Sequence, residues 1–381
     1  MGQVMEGQWI KRIESEQVFL LDIDDCGTFF EGHFHIFRPD GPPIFGPLKT
    51  DGCSANETFA CQVFTFTPDY KQAISGQQAQ SLYPDGGVPV QLTITLSKRV
   101  RTLNAKWVDE KGRRGSVTLM ASRSHKPSDR RPMAKVKTWA AFKVEAMSVE
   151  PGRYIFRGQP MPFRLRTSFH RTRRKDLIRF VHNDIPRLHR VLSARTKHIF
   201  NLKDADQNGA FWSLIQHHGY PTPLLDWTYS PFVAAYFAFK GARAVAEKGS
   251  SDSAGADRKT ASHKVRIFRF DKREWMKDFN QFQTVLNVQP HFSVLEALPM
   301  ENERSLPQQA LSTISSADDI EEYIRLCEAK KNKSYLEVFD LPAECWKQVM
   351  RELNLMGITA GSLFPGFDGA CQALKEQMFD F

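Results

Sequence analysis

The hydrophobic pattern of this chain changes period part-way along, and that change constrains the fold more than any other feature. In the first third, apolar residues alternate with polar ones, the signature of a half-buried strand. Across residues 28–36, Phe30, Phe34 and Ile36 fall on one face, and Glu31, His33 and His35 on the other. Residues 92–96 and the surroundings of Phe64 and Phe66 alternate likewise, and residues 8–13, 18–23, 103–108 and 116–121 complete the strand candidates. Turn chemistry at residues 24–27, 39–43, 84–87 and 110–112 punctuates them. Seven or eight short strands in about 120 residues predict an antiparallel barrel or sandwich, since closure removes exposed edges. His33 and His35 are candidate ligands on a strand, or, more plainly, outward solvated side chains.

Ser, Arg, Lys and Pro dominate residues 122–136, which read as a basic linker. The texture beyond is mixed α/β. Residues 138–146 read as a short helix, and residues 176–192 place Leu177, Val181, Ile185 and Leu188 at helical spacing, with Pro186 as a kink or second start. Residues 230–239 suit a buried helix, 265–270 a strand, and 317–329 and 343–355 two further helices. A polar run at 249–262 reads as a flexible insertion. The expected fold is therefore α+β: a β-domain over 1–121, the linker, and a mixed domain over 137–381. A length of 381 residues suits two domains.

No run of about 18 uncharged apolar residues is present, so no membrane span is expected. The first six residues lack a basic start and an apolar core, so no secretory signal is expected either. Six cysteines without C-x-x-C or Cys/His zinc spacing argue against a disulfide framework and a structural metal, and point to a reducing cytoplasm. Charge is uneven: residues 98–197 hold 27 Lys and Arg against 7 Asp and Glu, while the chain as a whole carries a net +9. Such a block attracts polyanions, nucleotide diphosphates and nucleic acid among them, or else makes a solvated basic face.

Three clusters carry candidate chemistry. The first is Tyr154-Ile155-Phe156-Arg157-Gly158-Gln159, an apolar strand that ends in Arg-Gly. An arginine leaving a strand beside a glycine suits a diphosphate, although an ordinary strand terminus reads the same way. The second runs from Gln216 to Ala238. In it Asp226, between Leu225 and Trp227, needs a hydrogen-bonding partner or a shifted pKa. His217 is a candidate general base or a structural partner for Asp226, and Ser230-Pro231 has the form of a helix N-cap with proline at the first position. The third, from Asn302 to Thr313, offers amide side chains that could orient a ligand, or is simply a polar loop.

Phe156-Arg157-Gly158, Gln216-His217-x-Gly219, Leu224-Leu225-Asp226-Trp227-Thr228 and the Ala234-x-x-Phe237-Ala238 helix, in that order, resemble the FRG domain, as do Gly357-Ile358-Thr359 and Leu363 to Gly369 near the end. The likeness runs from about Lys137 to Ala370. The opening Gly7-Gln8-Trp9 and its meander resemble a lipocalin- or avidin-type barrel. The FRG pattern is in turn similar to ADP-ribosyltransferases of the Arg-Ser-Glu type. That resemblance implies a site in which Arg157, with Gly158 and Gln159, binds NAD as substrate. Arg157 would hold the diphosphate or ribose, and the Gly158 backbone would meet the nicotinamide carboxamide. Thr228 and Ser230 would brace the nicotinamide-side ribose. Where such an enzyme has Glu, this chain has Gln308 or Gln309, with Glu303 and Glu337 as less well-placed substitutes; Asp226 or Glu303 would then take over its charge, and His217 would be the base.

The leading expectation is a cytoplasmic, toxin-like or anti-phage effector that transfers ADP-ribose from NAD to a macromolecule, RNA or protein. The alternative is a non-catalytic nucleic-acid or nucleotide-binding module. A hydrolytic nuclease would need a D-x-D or H-x-x-x-H pair, which the FRG-like region lacks. The β-domain is assigned to sensing or to docking an antitoxin or phage component, so that deleting residues 1–135 would leave catalysis intact.

Overall fold

The computed structural model describes residues 5–12, 16–69, 72–83, 87–251, 263–286, 289–296 and 298–380. The chain clusters into two compact units that interleave in sequence: residues 1–123, 167–195 and 284–290 in one, residues 124–166, 196–283 and 291–381 in the other.

In the first unit, strands β1 (Gly7–Arg12), β2 (Val18–Asp25), β3 (Phe30–Arg38), β4 (Gly41–Lys49), β5 (Asn56–Gln62), β6 (Phe64–Phe66), β7 (Ala73–Ser75), β8 (Gln91–Lys98), β9 (Thr102–Asp109) and β10 (Arg114–Ala121) form one antiparallel sheet in the order β5-β8-β9-β10-β1-β2-β3-β4-β6-β7. The sheet is nearly closed. Its edge strand β5 continues into β6, near the opposite edge, through the fully buried Val63 alone, so the chain itself draws the two edges together. A short helix α1 (Gly76–Leu82), capped reciprocally by Ser75 and Gln78, follows β7. The interior is filled by Phe19, Phe30, Phe34, Phe59, Leu92, Leu96 and Leu103 with their neighbours. A pocket of about 30 Å³ is lined by Phe19, Phe34, Phe59 and Leu92 among others, an order of magnitude below the roughly 300 Å³ of a small-molecule site. That pocket gives the lipocalin- or avidin-type resemblance no carrier cavity to rest on.

The histidines of β3 do not face solvent. His33 Nδ1 lies 3.0 Å from Asp176 Oδ2. The His35 ring is buried and stacks parallel to Phe37 at 5.7 Å; burial, helped by His33, pushes its pKa down to about 3. Alternation fails here because the outer face is itself covered. The short helices α3 (Ser168–Arg171), α4 (Leu177–Arg179) and α5 (Ile185–Leu192), with a π-helical turn at Phe180–Asp184 between the last two, belong to this unit. Their anchor is Asp24, 2 % exposed. It accepts the backbone N–H groups of Lys175 and Asp176, the second at 3.2 Å, and Arg174 Nε at 3.1 Å. Arg179 meets Glu31 at 2.7 Å. A cut at residue 135 would thus strip residues 167–195 of their partners, so the β-domain is not the freely removable module expected from the sequence.

The second unit is built on a six-stranded sheet, β14-β15-β12-β11-β13-β16, from β11 (Tyr154–Gln159), β12 (Leu224–Thr228), β13 (Lys264–Asp271), β14 (Phe292–Leu295), β15 (Ala310–Ser315) and β16 (Leu336–Pro342), all antiparallel. Helices α2 (Trp139–Met147), α7 (Pro231–Ser251), α10 (Trp346–Leu355), α11 (Ala360–Leu363) and α12 (Phe367–Lys375) share one hydrophobic cluster against one face. Helices α8 (Lys272–Asp278) and α9 (Ile320–Lys331) pack with Trp227, Phe270 and Phe292 on the other, and α6 (Ala205–His217) precedes β12. Helix α7 runs to Ser251, so the insertion expected at 249–262 begins inside it; residues 252–262 lie outside the described residues. Residues 124–135 contain no helix or strand, yet they are tied down: Ser124 to Asp318 at 2.7 Å, Ser128 to Glu321 at 2.6 Å and Arg130 to Glu328 at 2.8 Å. Among the described residues no helix is long and apolar enough to cross a membrane.

Asp24→Ala should lower the unfolding free energy of the full chain by about 2–4 kcal/mol, because two backbone donors and a guanidinium lose a buried acceptor. Urea denaturation reads the difference, and a loss below about 0.5 kcal/mol would remove Asp24 as the anchor of residues 167–195.

Candidate functional site

The centre of the second sheet is not zipped shut. β11 pairs with β13 along its whole length, from Tyr154↔Asp271 to Gln159↔Arg266, but meets β12 at a single pair, Phe156↔Thr228. Arg157 and Gly158 therefore lie within the strand rather than at its end. Beside that single pair a cleft of about 460 Å³ opens, within the size range of ligand sites. Arg157 bridges the parting, its Nη1 donating to the backbone oxygen of Asp226 at 2.6 Å.

Gly158 explains why α7 overhangs this cleft. A methyl group there would sit 1.8 Å from the carbonyl oxygen of Ala234 and 2.9 Å from the nitrogen of Ala238. Only a residue without Cβ lets the helix lie directly on the strand. The helix begins where the sequence placed it, Ser230 Oγ accepting the Val233 N–H at 3.2 Å ahead of Pro231. This lowers Ala234 and Phe237 onto the rim, where they line the cleft with Phe156 and Phe364.

Asp226 is exposed between buried Leu225 and Trp227, as strand alternation requires. Its hydrogen-bonding partner is Gln216 rather than His217: Gln216 Nε2 donates to Asp226 Oδ1, and Thr222 Oγ1 donates to Gln216 Oε1. His217 lines the same cleft, half-buried at the end of α6. Burial above all, then the charge of Arg304 and the neighbouring His218, hold its pKa below the ordinary imidazole range, against the opposing pull of Asn302 and Asp226. A neutral imidazole, able to accept a proton, is the result near pH 7.

Of the residues singled out in the sequence, Arg157, Gly158, His217, Asp226, Thr228 and Gln308 line this one cleft; Gln159, Ser230 and Gln309 do not. Gln159 is buried in the strand, and Ser230 serves as the helix cap. Gln309, with φ of +48°, turns the chain so that its carbonyl accepts the Tyr229 N–H. The Thr228 hydroxyl is already engaged, donating to the Gln308 carbonyl at 2.7 Å and accepting the Ser230 N–H at 3.0 Å, so its role is to join β12 to the loop before β15. Gln308 Nε2 donates to the Leu363 carbonyl at 3.0 Å. Neither acid substitute lines the cleft: Glu303 is exposed, and Glu337 is paired with Arg269 at 2.6 Å. Asp226 is the carboxylate among the lining residues.

Arg304, Ser213 and Phe364 also line the cleft, and nothing in their local sequence assigned them a role there. Arg304 stands in the loop 299–309 and lies 5.1 Å from the Phe364 ring; no spacing rule brings a loop arginine to a phenylalanine sixty residues later.

A comparison with family models finds an FRG domain at residues 152–247, the span from β11 to the body of α7. No curated protein and no solved structure matches the chain. Arg157, Gly158, His217, Asp226 and Thr228 fall inside the matched span, whereas Arg304, Gln308 and Phe364 fall outside it.

The His217 imidazole should titrate below the usual value of about 6.5. Arg304→Gln, which removes a positive neighbour, should move the midpoint upward. Ring-proton NMR measures both, and a midpoint at or above 6.5, or one indifferent to Arg304→Gln, would contradict this electrostatic picture.

Proposed function

We propose that the cleft binds NAD and that the protein transfers ADP-ribose from it to a macromolecule, RNA or protein. The observation that carries this reading is the meeting, in one cleft, of two guanidiniums, aromatic walls and a single carboxylate fixed by an amide. Arg157 and Arg304 suit a diphosphate, and the phenylalanines suit flat rings. Asp226 takes the place expected of a glutamate: its negative charge stabilises the ribosyl carbon as nicotinamide leaves with the electron pair of its bond to C1′. An acceptor hydroxyl or amide then forms the new bond at C1′, and its proton passes to His217. The protein supplies position and charge rather than a covalent intermediate. The N-terminal unit, in this reading, docks a partner such as an antitoxin or phage component.

A second reading, a nucleotide-binding module without catalysis, draws support from Gln308, a neutral amide where the transferase pattern has an acid. Incubation with labelled NAD and cell lysate separates the two. Transfer predicts nicotinamide release and label on a polymer, with Asp226→Asn slowing release by about 100-fold while NAD affinity changes little. NAD bound without turnover would leave only the binding module, and neither release nor binding would remove both.

A further inference from the structure

We propose that Arg304 and Phe364 form the phosphate-and-base subsite of the cleft, where a nucleotide's phosphate and its heteroaromatic ring are gripped together. The proposal rests on the nucleotide reading above and names the side chains that do the gripping.

The first ground is the state of Arg304. In the second unit Arg130, Arg153, Arg164, Arg266 and Arg269 each meet a carboxylate within 3.0 Å. Arg304 is half-buried like Arg130 and Arg153, yet among the described residues no carboxylate or carbonyl accepts from its guanidinium; its partner is the Phe364 ring. A guanidinium resting on a ring keeps its N–H donors for oxygens elsewhere, and a partly dehydrated one gains most from an anion. Arg157 is differently placed, with Nη1 engaged on the Asp226 carbonyl. Arg157 thus also braces the parted strands, and Arg304 is the anion receptor that no oxygen of the described residues engages.

The second ground is that the pair is braced. Gln308 ties both ends: its N–H donates to the Arg304 carbonyl at 3.1 Å, and its Nε2 donates to the carbonyl of Leu363, the residue before Phe364, at 3.0 Å. Phe237 packs edge-on against Phe364 with centroids 6.0 Å apart, and Lys240 Nζ lies 4.8 Å from the same ring. The ring is thus fixed in place before a base arrives, and a base stacks on it as the Lys240 ammonium gives way. Gln308 therefore acts in the cleft as a staple between loop and aromatic wall.

Titration calorimetry on the full chain, with ADP and with inorganic pyrophosphate as probes, tests the subsite. Wild type is expected to bind both, and Arg304→Gln to weaken each by at least tenfold. Phe364→Leu should weaken ADP at least fivefold while leaving pyrophosphate within about twofold. Thermal unfolding checks that the variants are folded; Arg304, in a loop, carries the test if Phe364→Leu does not fold. Unchanged pyrophosphate affinity in Arg304→Gln, or a wild type that binds neither probe, would overturn the subsite. Arg304-dependent binding of both probes without NAD turnover would uphold the subsite and remove the transferase reading. NAD turnover with a KM indifferent to Arg304→Gln would do the reverse.

Discussion

At Gly158 the backbone of β11 lies against helix α7 with no room for a side chain, and the geometry of the second unit follows from that contact. Because the helix sits so low, its first turns overhang the strand and bring Ala234 and Phe237 to the rim of the cleft. Because β11 meets β12 at one residue pair only, there is a parting beneath the helix for a ligand to occupy. Arg157 spans that parting and gives the Asp226 carbonyl a donor that a continuous ladder would have supplied. Arginine and glycine side by side in the strand are thus explained twice over: one bridges a gap in the sheet, the other admits the helix that roofs it.

The charge distribution takes on a different meaning once the ion pairs are known. The block over residues 98–197 looks like a polyanion-binding surface, but several of its arginines are matched by acids from elsewhere in the chain. Arg174 and Arg179 meet Asp24 and Glu31 in the first unit. In the second, Arg130, Arg153, Arg164 and Arg166 meet Glu328, Asp271, Asp319 and Asp318. Part of the asymmetry is therefore internal complementarity between segments far apart in sequence, with buried carboxylates such as Asp24 and Asp318 as the receiving ends. The cleft departs from this economy: Arg304 has a ring where the others have a carboxylate.

Local chemistry was legible in the sequence and long-range partnership was not. The cap at Ser230, the strands of residues 18–23 and 103–108, and the helix expected at 138–146 all rest on neighbours within a few residues, and each formed close to where periodicity and capping put it. β4 was hidden because Pro42 and Pro43 read as a turn; the strand tolerates its prolines because its far side pairs with β6 only at Phe45↔Phe64, leaving few ladder donors to lose. His33 and His35 were misjudged because the segment that covers their face begins 130 residues later. In the cleft, residue types announced Arg157, Asp226 and His217. The Gln216–Asp226 bond and the Arg304–Phe364 contact depend on how loops close, which spacing does not encode.

The contact between β11 and α7 is the claim on which the cleft stands, and Gly158→Ala addresses it with a single methyl group. Overpacking of this kind typically costs about 1–3 kcal/mol. With a Cβ 1.8 Å from a backbone oxygen, the helix must lift off the strand. Chemical denaturation and ADP titration of the same variant should show both a lowered midpoint and weakened binding; a variant that unfolds and binds ADP like wild type would contradict the account.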